Sequence, residues 1–336
     1  MTGRLFFFMA LIVPATLFAE SREDGVSMPF GSVSVSPDHA GSQSGVVNAF
    51  SHRFYHSSSA AQYGELSIVP GAGSLTVAEG SEFYSPGYYK VLSDSPGMEI
   101  RVTAAEEGAA HRYAYFTLSG SPQKEGSIML DFLGNAGEQS ARDVVAEVRV
   151  TDPVTVTGYV ISRGERETGH TYFAIRFSRP VKRYFSKSNP AFPENYPIIS
   201  GNEFPLVFVF DLVKGEQQYV DDGVLEIRVA FSSVDAAGAL NNLETGMEGK
   251  NFETLQWEAS QQWEKELAVI TVDDPYGNEE LENRRSLFYK ALGRTMETPA
   301  SLQDRDGKFR GNDNNIHASP FYDHYTAVYP VERERY

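Results

Sequence analysis

His52 and His56 are among the few side chains whose type and spacing could support chemistry. A His-x3-His pair can hold a metal when both rings share one face of a helix, but Ser57-Ser-Ser59 follows this pair and predicts a loop. A third ligand is also absent from the surrounding sequence, so a metal site is not favoured. Ser51 directly precedes His52, and such neighbours have the wrong geometry for a nucleophile and its base.

The acidic pairs of the sequence also make weak catalytic candidates. Glu106-Glu107 and Asp221-Asp222 are adjacent, and neighbours on a strand point to opposite faces. Asp304 and Asp306 with Gly307 imitate the start of a calcium loop, yet the further ligands and the terminal glutamate of an EF-hand are missing. We therefore interpret the first two pairs as solvated charges and the third as a tight turn.

Composition excludes several classes of function. The 336 residues include no cysteine, which excludes disulfides, thiolate zinc sites, cysteine nucleophiles and a lipid-modified cysteine. The net charge of −16 opposes contact with nucleic acid, whose phosphates require clustered cations, and docking on anionic lipid. We therefore expect no nucleic-acid partner and no membrane anchor.

The elements that must position any site are mainly strands. Between Gly31 and Phe231 apolar residues alternate with polar ones, as in Ile100-Arg-Val102-Thr and Leu225-Glu-Ile227-Arg-Val229. The run Leu206–Phe210 is apolar on both faces, which is typical of a strand that is covered on both sides. Many strands without helices between them predict a large β-sandwich.

Helical spacing replaces this alternation towards the C-terminus. A helix is predicted from Phe252 to Leu267 with Asn251 as its N-cap, and a second from Glu279 to Met296 with Asn278 as its cap. On the first helix, Trp263 lies on the packing stripe and Trp257 is expected to pack against the β-domain. On the second, the predicted stripe is formed by Leu281, Phe288 and Leu292.

The N-terminus has the pattern of a secretory signal. Arg4 precedes a short apolar run, and Ala19 offers a small residue for cleavage. The run is too short to span a bilayer comfortably, and Pro14 interrupts it. This predicts an exported protein of the periplasm or the extracellular space.

Several short strings, in a fixed order, resemble glycoside hydrolase family 92, the calcium-dependent exo-acting α-mannosidases. The resemblance extends from about Pro29 to Thr326, so it covers most of the chain. Its strings are Pro29-Phe-Gly31, Ser36-Pro-Asp38, Phe50-Ser-His52, Tyr63-Gly-Glu65, Ser85–Val91, His111-Arg-Tyr113, Arg176–Pro180 and Asp304–Gly311.

The resemblance implies both an architecture and a reaction. Members join an N-terminal β-sandwich (a supersandwich) to a C-terminal (α/α)6 barrel through a helical connector, and they hydrolyse terminal α-mannosyl linkages, often α-1,2, with inversion. Inversion requires an acid and a base whose carboxyl groups lie about 6.5–9.5 Å apart. In the family these two carboxylates and the calcium ligands belong to the barrel. No catalytic carboxylate and no metal ligand can therefore be assigned here, and calcium is expected only in the complete enzyme.

The implied domains are a signal peptide at 1–19, a β-sandwich at 20–245, a connector at 246–298 and a truncated start of the barrel at 299–336. After Tyr325-Thr326 the family's Trp-Asp-Thr motif is missing, and the sequence continues Ala327-Val-Tyr-Pro330. We expect this chain to be the carbohydrate-handling front part of an exported α-mannosidase that is inactive alone. Its expected partners are a mannose-containing glycan and a separately encoded catalytic barrel.

Two alternatives remain open. His52 and His56 lie in the segment that borders the substrate pocket in the family, where they could hydrogen-bond sugar hydroxyls, or they could be loop histidines that serve local backbone contacts. The chain could also be a stand-alone exported β-sandwich that binds a glycan or a protein partner, for which an exposed aromatic platform would be the sign.

Overall fold

The computed structural model describes residues 26–318, apart from 30, 40–44, 55–64, 72, 118, 133–142, 164–167, 202–203, 214–221, 273–278, 297–300, 302 and 312. The described chain is mainly β, with three helices near its C-terminal end. The predicted signal peptide at 1–19 lies outside the described residues. None of the helices in the described part of the chain is long and apolar enough to cross a bilayer.

The strands follow one another almost without interruption before the first helix. In chain order they are β1 Val26–Ser27, β2 Val33–His39, β3 Val46–Phe54, β4 Glu65–Pro70, β5 Leu75–Val77, β6 Phe83–Ser85, β7 Tyr88–Ser95, β8 Gly97–Ala105, β9 Gly108–Tyr115, β10 Glu125–Asp131, β11 Asp143–Asp152, β12 Thr155–Arg163, β13 Thr168–Phe177, β14 Val181–Ser186, β15 Ile198–Ser200, β16 Leu206–Asp211, β17 Val224–Ser232, β18 Lys308–Arg310 and β19 Ile316–Ala318. The helices are α1 Ala236–Met247, α2 Phe252–Leu267 and α3 Glu279–Thr295.

Antiparallel pairing arranges β1 to β17 in two layers. The first layer runs β15-β11-β12-β13-β17-β9-β8-β7, with β6 beside β7. The second layer runs β1-β2-β3-β4-β10-β16-β14. Strand β5 pairs with both β3 and β7 and so joins the layers along one edge. The predicted sandwich is confirmed.

One hydrophobic core lies between the two layers. Ile100 and Ile227 of the first layer and Phe208 of the second are all fully buried in it. The alternation predicted the inward side chains of β8 and β17 correctly, because every second residue of a strand faces the same side. The double-sided burial predicted for Leu206–Phe210 is also confirmed.

The helices cover the outer face of the first layer. α1 packs on β17 and β13, and α2 packs on β8. Asn251 accepts a hydrogen bond from the Thr254 backbone N–H at 2.8 Å, which confirms it as the N-cap of α2. Helix α1 was not predicted from the sequence; it begins after Asp235, whose side chain caps it by accepting a hydrogen bond from the Gly238 N–H at 2.7 Å. Asn278, the predicted cap of α3, lies outside the described residues.

The two tryptophans differ in their environment. Trp263 is 5% exposed, and its indole N–H donates to the Ser27 carbonyl at 2.8 Å, as expected for the packing stripe. Trp257 is 62% exposed, so the prediction that it packs against the β-domain is wrong. On α3 the buried side chain is Tyr289, whereas Phe288 is 36% exposed. Of the predicted stripe, Leu292 is confirmed because it packs against the cluster of Trp263, Leu267 and Tyr289, Phe288 is more exposed than predicted, and the side chain of Leu281 lies outside the described residues.

Candidate functional site

His52 lies in the interior of the sandwich. It belongs to β3, its side chain is 0% exposed, and its Nδ1 donates to the Leu66 carbonyl at 2.9 Å. His56 lies outside the described residues. His52 is thus a strand residue and not a loop residue, and its contact with a sugar stays a prediction.

The second ring nitrogen of His52 meets His111 across the core. His52 Nε2 lies 2.8 Å from His111 Nε2, and His111 Nδ1 lies 2.8 Å from the Tyr113 hydroxyl. All three side chains are 0% exposed. Since β3 and β9 belong to different layers, this polar chain links the two layers through the hydrophobic core.

The partners fix the position of each proton in this chain. The Leu66 carbonyl can only accept, so His52 carries its proton on Nδ1 and accepts through Nε2. His111 must then donate from Nε2 and accept through Nδ1, which leaves the Tyr113 hydroxyl as the donor at the end. Both imidazoles are neutral, because burial lowers the pKa of His52 to about 4 and lowers that of His111 below its ordinary value, with a further contribution from His52.

Acid is expected to destabilise the fold through His52. Its pKa of about 4 lies below the ordinary 6.5, so the unfolded chain takes up this proton first as the pH falls. The neutral His52 contributes its full stabilisation above pH 6.5, and between pH 6.5 and pH 4 the free energy of unfolding falls by roughly 3 kcal/mol. Urea unfolding at several pH values between 7.5 and 4 measures this fall in the unaltered chain and in His52→Phe. The free energy of unfolding of His52→Phe should fall less. Equal pH dependence in both proteins would contradict it.

A second polar cluster fastens the Asp304–Gly311 segment to the sandwich. Asp304 is 4% exposed, and its carboxylate accepts from the Ser232 hydroxyl at 2.6 Å and from the Asn242 side-chain amide at 2.8 Å. The Gly307 N–H donates to the Asp304 carbonyl at 2.8 Å, and Gly307 has a φ of 85°. The predicted tight turn is confirmed, but the strand Lys308–Arg310 pairs onward with Ile316–Ala318.

Asn242 of α1 is the centre of this cluster. Its amide nitrogen donates to Asp304 and, at 2.9 Å, to the Phe231 carbonyl, and its oxygen accepts from the Arg305 N–H at 2.9 Å. The side chain is 0% exposed, so one amide joins a strand, a helix and the turn. We call Ser232, Asn242, Asp304, Arg305 and Glu107 the junction cluster.

Arg305 completes the junction cluster with two ion pairs. Its Nε lies 3.0 Å from a carboxylate oxygen of Glu107, and its terminal nitrogen lies 2.9 Å from Glu106. The side chain of Glu106 is 62% exposed and that of Glu107 is 11% exposed. The prediction of a solvated charge is therefore confirmed for Glu106 and wrong for Glu107, whose carboxylate is buried against Arg305. Burial, reinforced by Glu106 and opposed by Arg305, raises the pKa of Glu107 to about 7.

Burial also raises the pKa of Asp304 to about 6, although the hydrogen bonds from Ser232 and Asn242 act to lower it. A raised carboxyl pKa is what a general acid needs, but a general acid must also reach its substrate. Asp304 and Glu107 are 4% and 8% exposed, and both bind other residues of the protein. Their geometry supports a structural role, which is to hold the turn against the sandwich.

The described residues do not form a calcium site. Among them, no three histidine, aspartate or glutamate side chains converge in a way that could hold a metal ion. Asp304 instead turns its carboxylate inward to Ser232 and Asn242. The described residues therefore offer no ligand set that fits calcium.

Sequence reasoning missed the partners that give both clusters their form. Nothing in the local sequence of Asn242, Ser232 or Glu107 indicated a buried polar contact. The strings Phe50-Ser-His52 and His111-Arg-Tyr113 did carry a signal, because both supply members of the buried histidine chain.

Comparison with known families matches two adjoining parts of the chain. The sequence model of the glycosyl hydrolase family 92 N-terminal domain matches residues 24–232, and that of the glycosyl hydrolase family 92 catalytic domain matches residues 238–331. The junction cluster therefore includes residues from both matches. Among curated proteins, no relative matches the sequence.

Solved structures share the fold at low sequence identity. A family GH92 α-mannosidase from Bacteroides thetaiotaomicron, also solved with mannoimidazole, superposes with a TM-score of 0.69 at 22% identity, over 88% of this chain and 41% of its own. A GH92 family glycosyl hydrolase superposes with a TM-score of 0.70 at 19% sequence identity, over 93% of this chain and 44% of its own. A family GH92 inverting mannosidase from Bacteroides thetaiotaomicron superposes with a TM-score of 0.69 at 20% identity, over 88% of this chain and 40% of its own. The chain spans about two fifths of the length of these relatives.

Proposed function

The chain belongs to glycosyl hydrolase family 92, and from that premise we propose that it is the N-terminal, carbohydrate-handling portion of an exported α-mannosidase. Its sandwich would support the catalytic domain. The whole enzyme would hydrolyse terminal α-mannosyl linkages, with α-1,2 linkages as the preferred substrate. The junction cluster is the observation that carries this proposal. It fixes the first hairpin of the catalytic-domain match, β18 and β19, to the last strand of the sandwich.

We propose that this chain does not hydrolyse mannosides by itself. An inverting glycosidase needs an acid and a base on opposite sides of the sugar, with space between them for water. Asp304 and Glu107 are carboxylates with a raised pKa, but both are buried and hold the turn instead. We propose that the acid, the base and the calcium ligands belong to the further catalytic domain that the longer relatives contain.

Exposed apolar side chains on the connector support a partner of this kind. Leu287 of α3 is 68% exposed and Phe288 is 36% exposed, and Val269 after α2 is 75% exposed. Helices of globular proteins normally bury such side chains against another element. We propose that the rest of a catalytic barrel, from a longer form of this chain or from a second polypeptide, covers them. Export is supported by the predicted leader at 1–19.

Activity measurements test the proposed function directly. The purified chain is incubated with α-1,2-mannobiose and calcium, with an α-mannosidase of known activity on this disaccharide as the positive control, and free mannose is measured. We expect release by the control enzyme and none by this chain. Clear mannose release by the folded chain alone would refute the assignment of the catalytic carboxylates to another segment.

A further inference from the structure

The outer face of the second layer contains a cleft of about 430 Å³. Its volume lies within the range of small-molecule sites, about 300–1,000 Å³. The helices and the junction cluster lie on the first layer, so this cleft is separate from the proposed catalytic connection. It is lined by Gly71, Pro96, Tyr115, Gln123, Glu125, Gly126, Ser127, Arg183, Phe185, Lys187, Val207 and Val209.

The floor of the cleft is apolar and carries an aromatic ring. Val207 and Val209 face outward from β16, because the alternate residues, such as Phe208, point into the core. Phe185 of β14 pairs with Val207 and lies beside this floor. The guanidinium carbon of Arg183 lies 5.2 Å from the centre of the Phe185 ring, a cation–π contact that holds the ring in place.

The opposite wall of the cleft is tightly packed. The Tyr115 hydroxyl donates to the Ser127 carbonyl at 2.8 Å, and the Gly71 N–H donates to the same carbonyl at 2.7 Å. A Cβ at Gly126 would lie 2.6 Å from the Leu212 side chain and 3.1 Å from the Tyr115 ring, so a larger residue there would have to displace Leu212. The wall is therefore formed before any ligand arrives, which lowers the entropic cost of binding.

The charges at the rim are largely balanced within the protein. Lys182, next to the cleft, lies 3.1 Å from Glu125 and 2.7 Å from Asp211, and Arg183 lies 3.5 Å from Glu194. A charged ligand would have to compete with these ion pairs. An uncharged ligand would not, and it could still accept hydrogen bonds from Arg183 and Lys187.

We propose that this cleft binds an uncharged saccharide, independently of the catalytic activity proposed above. A sugar ring presents C–H groups on its faces and hydroxyls on its edges. The C–H face would lie on Phe185, since Val207 and Val209 below it are only 5% and 4% exposed, and the hydroxyls would meet the Arg183 guanidinium and the Gln123 amide. The Gln123 amide is held in place, since its nitrogen donates to the Phe116 carbonyl at 2.8 Å. Such a site would anchor the enzyme on a glycan at a distance from the scissile bond.

Ligand-observed NMR and calorimetry with the whole chain test this site. The probe is α-1,2-mannobiose, and a disaccharide with a uronic acid tests the preference for an uncharged ligand. Phe185→Ala should weaken mannobiose binding at least tenfold, and Arg183→Gln should also weaken it. Trp257→Ala is the matched control, because it removes an exposed aromatic ring on α2 and should leave binding unchanged. Circular dichroism verifies that each variant is folded.

The outcomes separate this proposal from the catalytic one. Binding that is lost in both cleft variants and kept in Trp257→Ala supports the site, whatever the mannose-release assay gives. If Phe185→Ala fails to fold, mannobiose binding by Arg183→Gln alone decides whether the cleft is the binding site. No binding by the unaltered chain, binding that survives both substitutions, or tighter binding of the acidic disaccharide would overturn the proposal.

Discussion

Replacing His111 with alanine is expected to lower the free energy of unfolding by about 4 kcal/mol. The substitution leaves His52 Nε2 and the Tyr113 hydroxyl without partners in the core, and each unpaired buried group costs about 1–3 kcal/mol. It also opens a cavity, because the His111 side chain is 0% exposed. Urea unfolding at pH 7.5, followed by circular dichroism, measures the change.

His317→Ala is the matched control for this experiment. His317 is also a histidine in a strand, but its side chain is 44% exposed and its only described charged partner is Asp313. We expect a change within about 1 kcal/mol. The double variant His52→Leu/His111→Leu should be less destabilised than the sum of its single variants, because it removes both polar partners together. A loss below about 1 kcal/mol for His111→Ala would show that the buried chain has no structural importance.

Replacing Asn242 with alanine is expected to release the turn at Asp304. The change removes three hydrogen bonds and leaves the Phe231 carbonyl and the Arg305 N–H unpaired beside a buried carboxylate. At about 1–3 kcal/mol for each group, the local loss is about 4 kcal/mol. Hydrogen exchange at the Arg305 amide should then accelerate by at least about 100-fold.

The neighbouring asparagine provides the control for this variant. Asn241 precedes Asn242 on α1 and is partly exposed, so Asn241→Ala changes the same residue type without touching the junction cluster. We expect the exchange of the Arg305 amide to stay within a factor of about three in Asn241→Ala. Equal exchange in the two variants would mean that Asn242 does not hold the turn.

The strands could be predicted because their burial follows directly from the alternation of residue types. In β8 and β17 the inward positions are apolar residues, and their period of two shows which side of each strand faces the core. The turn at Asp306-Gly307 could be predicted for a similar reason, since glycine is the residue that adopts a positive φ without strain.

Helix α1 was not predicted because its buried face is mixed rather than uniformly apolar. Ala239, Leu243 and Met247 are buried in an apolar cluster, but Gly238, Asn242 and Gly246 are buried beside them. A Cβ at Gly238 would lie 2.4 Å from the Asp304 carboxylate, and one at Gly246 would lie 3.2 Å from Arg305. The helix is thus fitted to Asp304 and Arg305 of the junction cluster, which lie 62 and 63 residues from Asn242 in the sequence.

The buried histidine chain was hidden for a different reason. His52 and His111 are 59 residues apart and meet only because β3 and β9 lie in opposite layers. Each histidine belongs to one of the strings that resemble the family, but the contact between them depends on how the two layers pack against each other. Trp257 shows the converse case, since a large aromatic side chain predicts burial and this one is exposed to solvent.

Native-state hydrogen exchange of the unaltered chain tests most directly whether the sandwich holds the start of the catalytic segment. The amides of Asp304, Arg305 and Gly307 donate to Lys308, Asn242 and Asp304. We predict that they are protected to a free energy close to that of the Phe231 amide, which donates to Glu107 within the sandwich. Exchange of these three amides at the rate of an unfolded peptide, while Phe231 stays protected, would contradict the account.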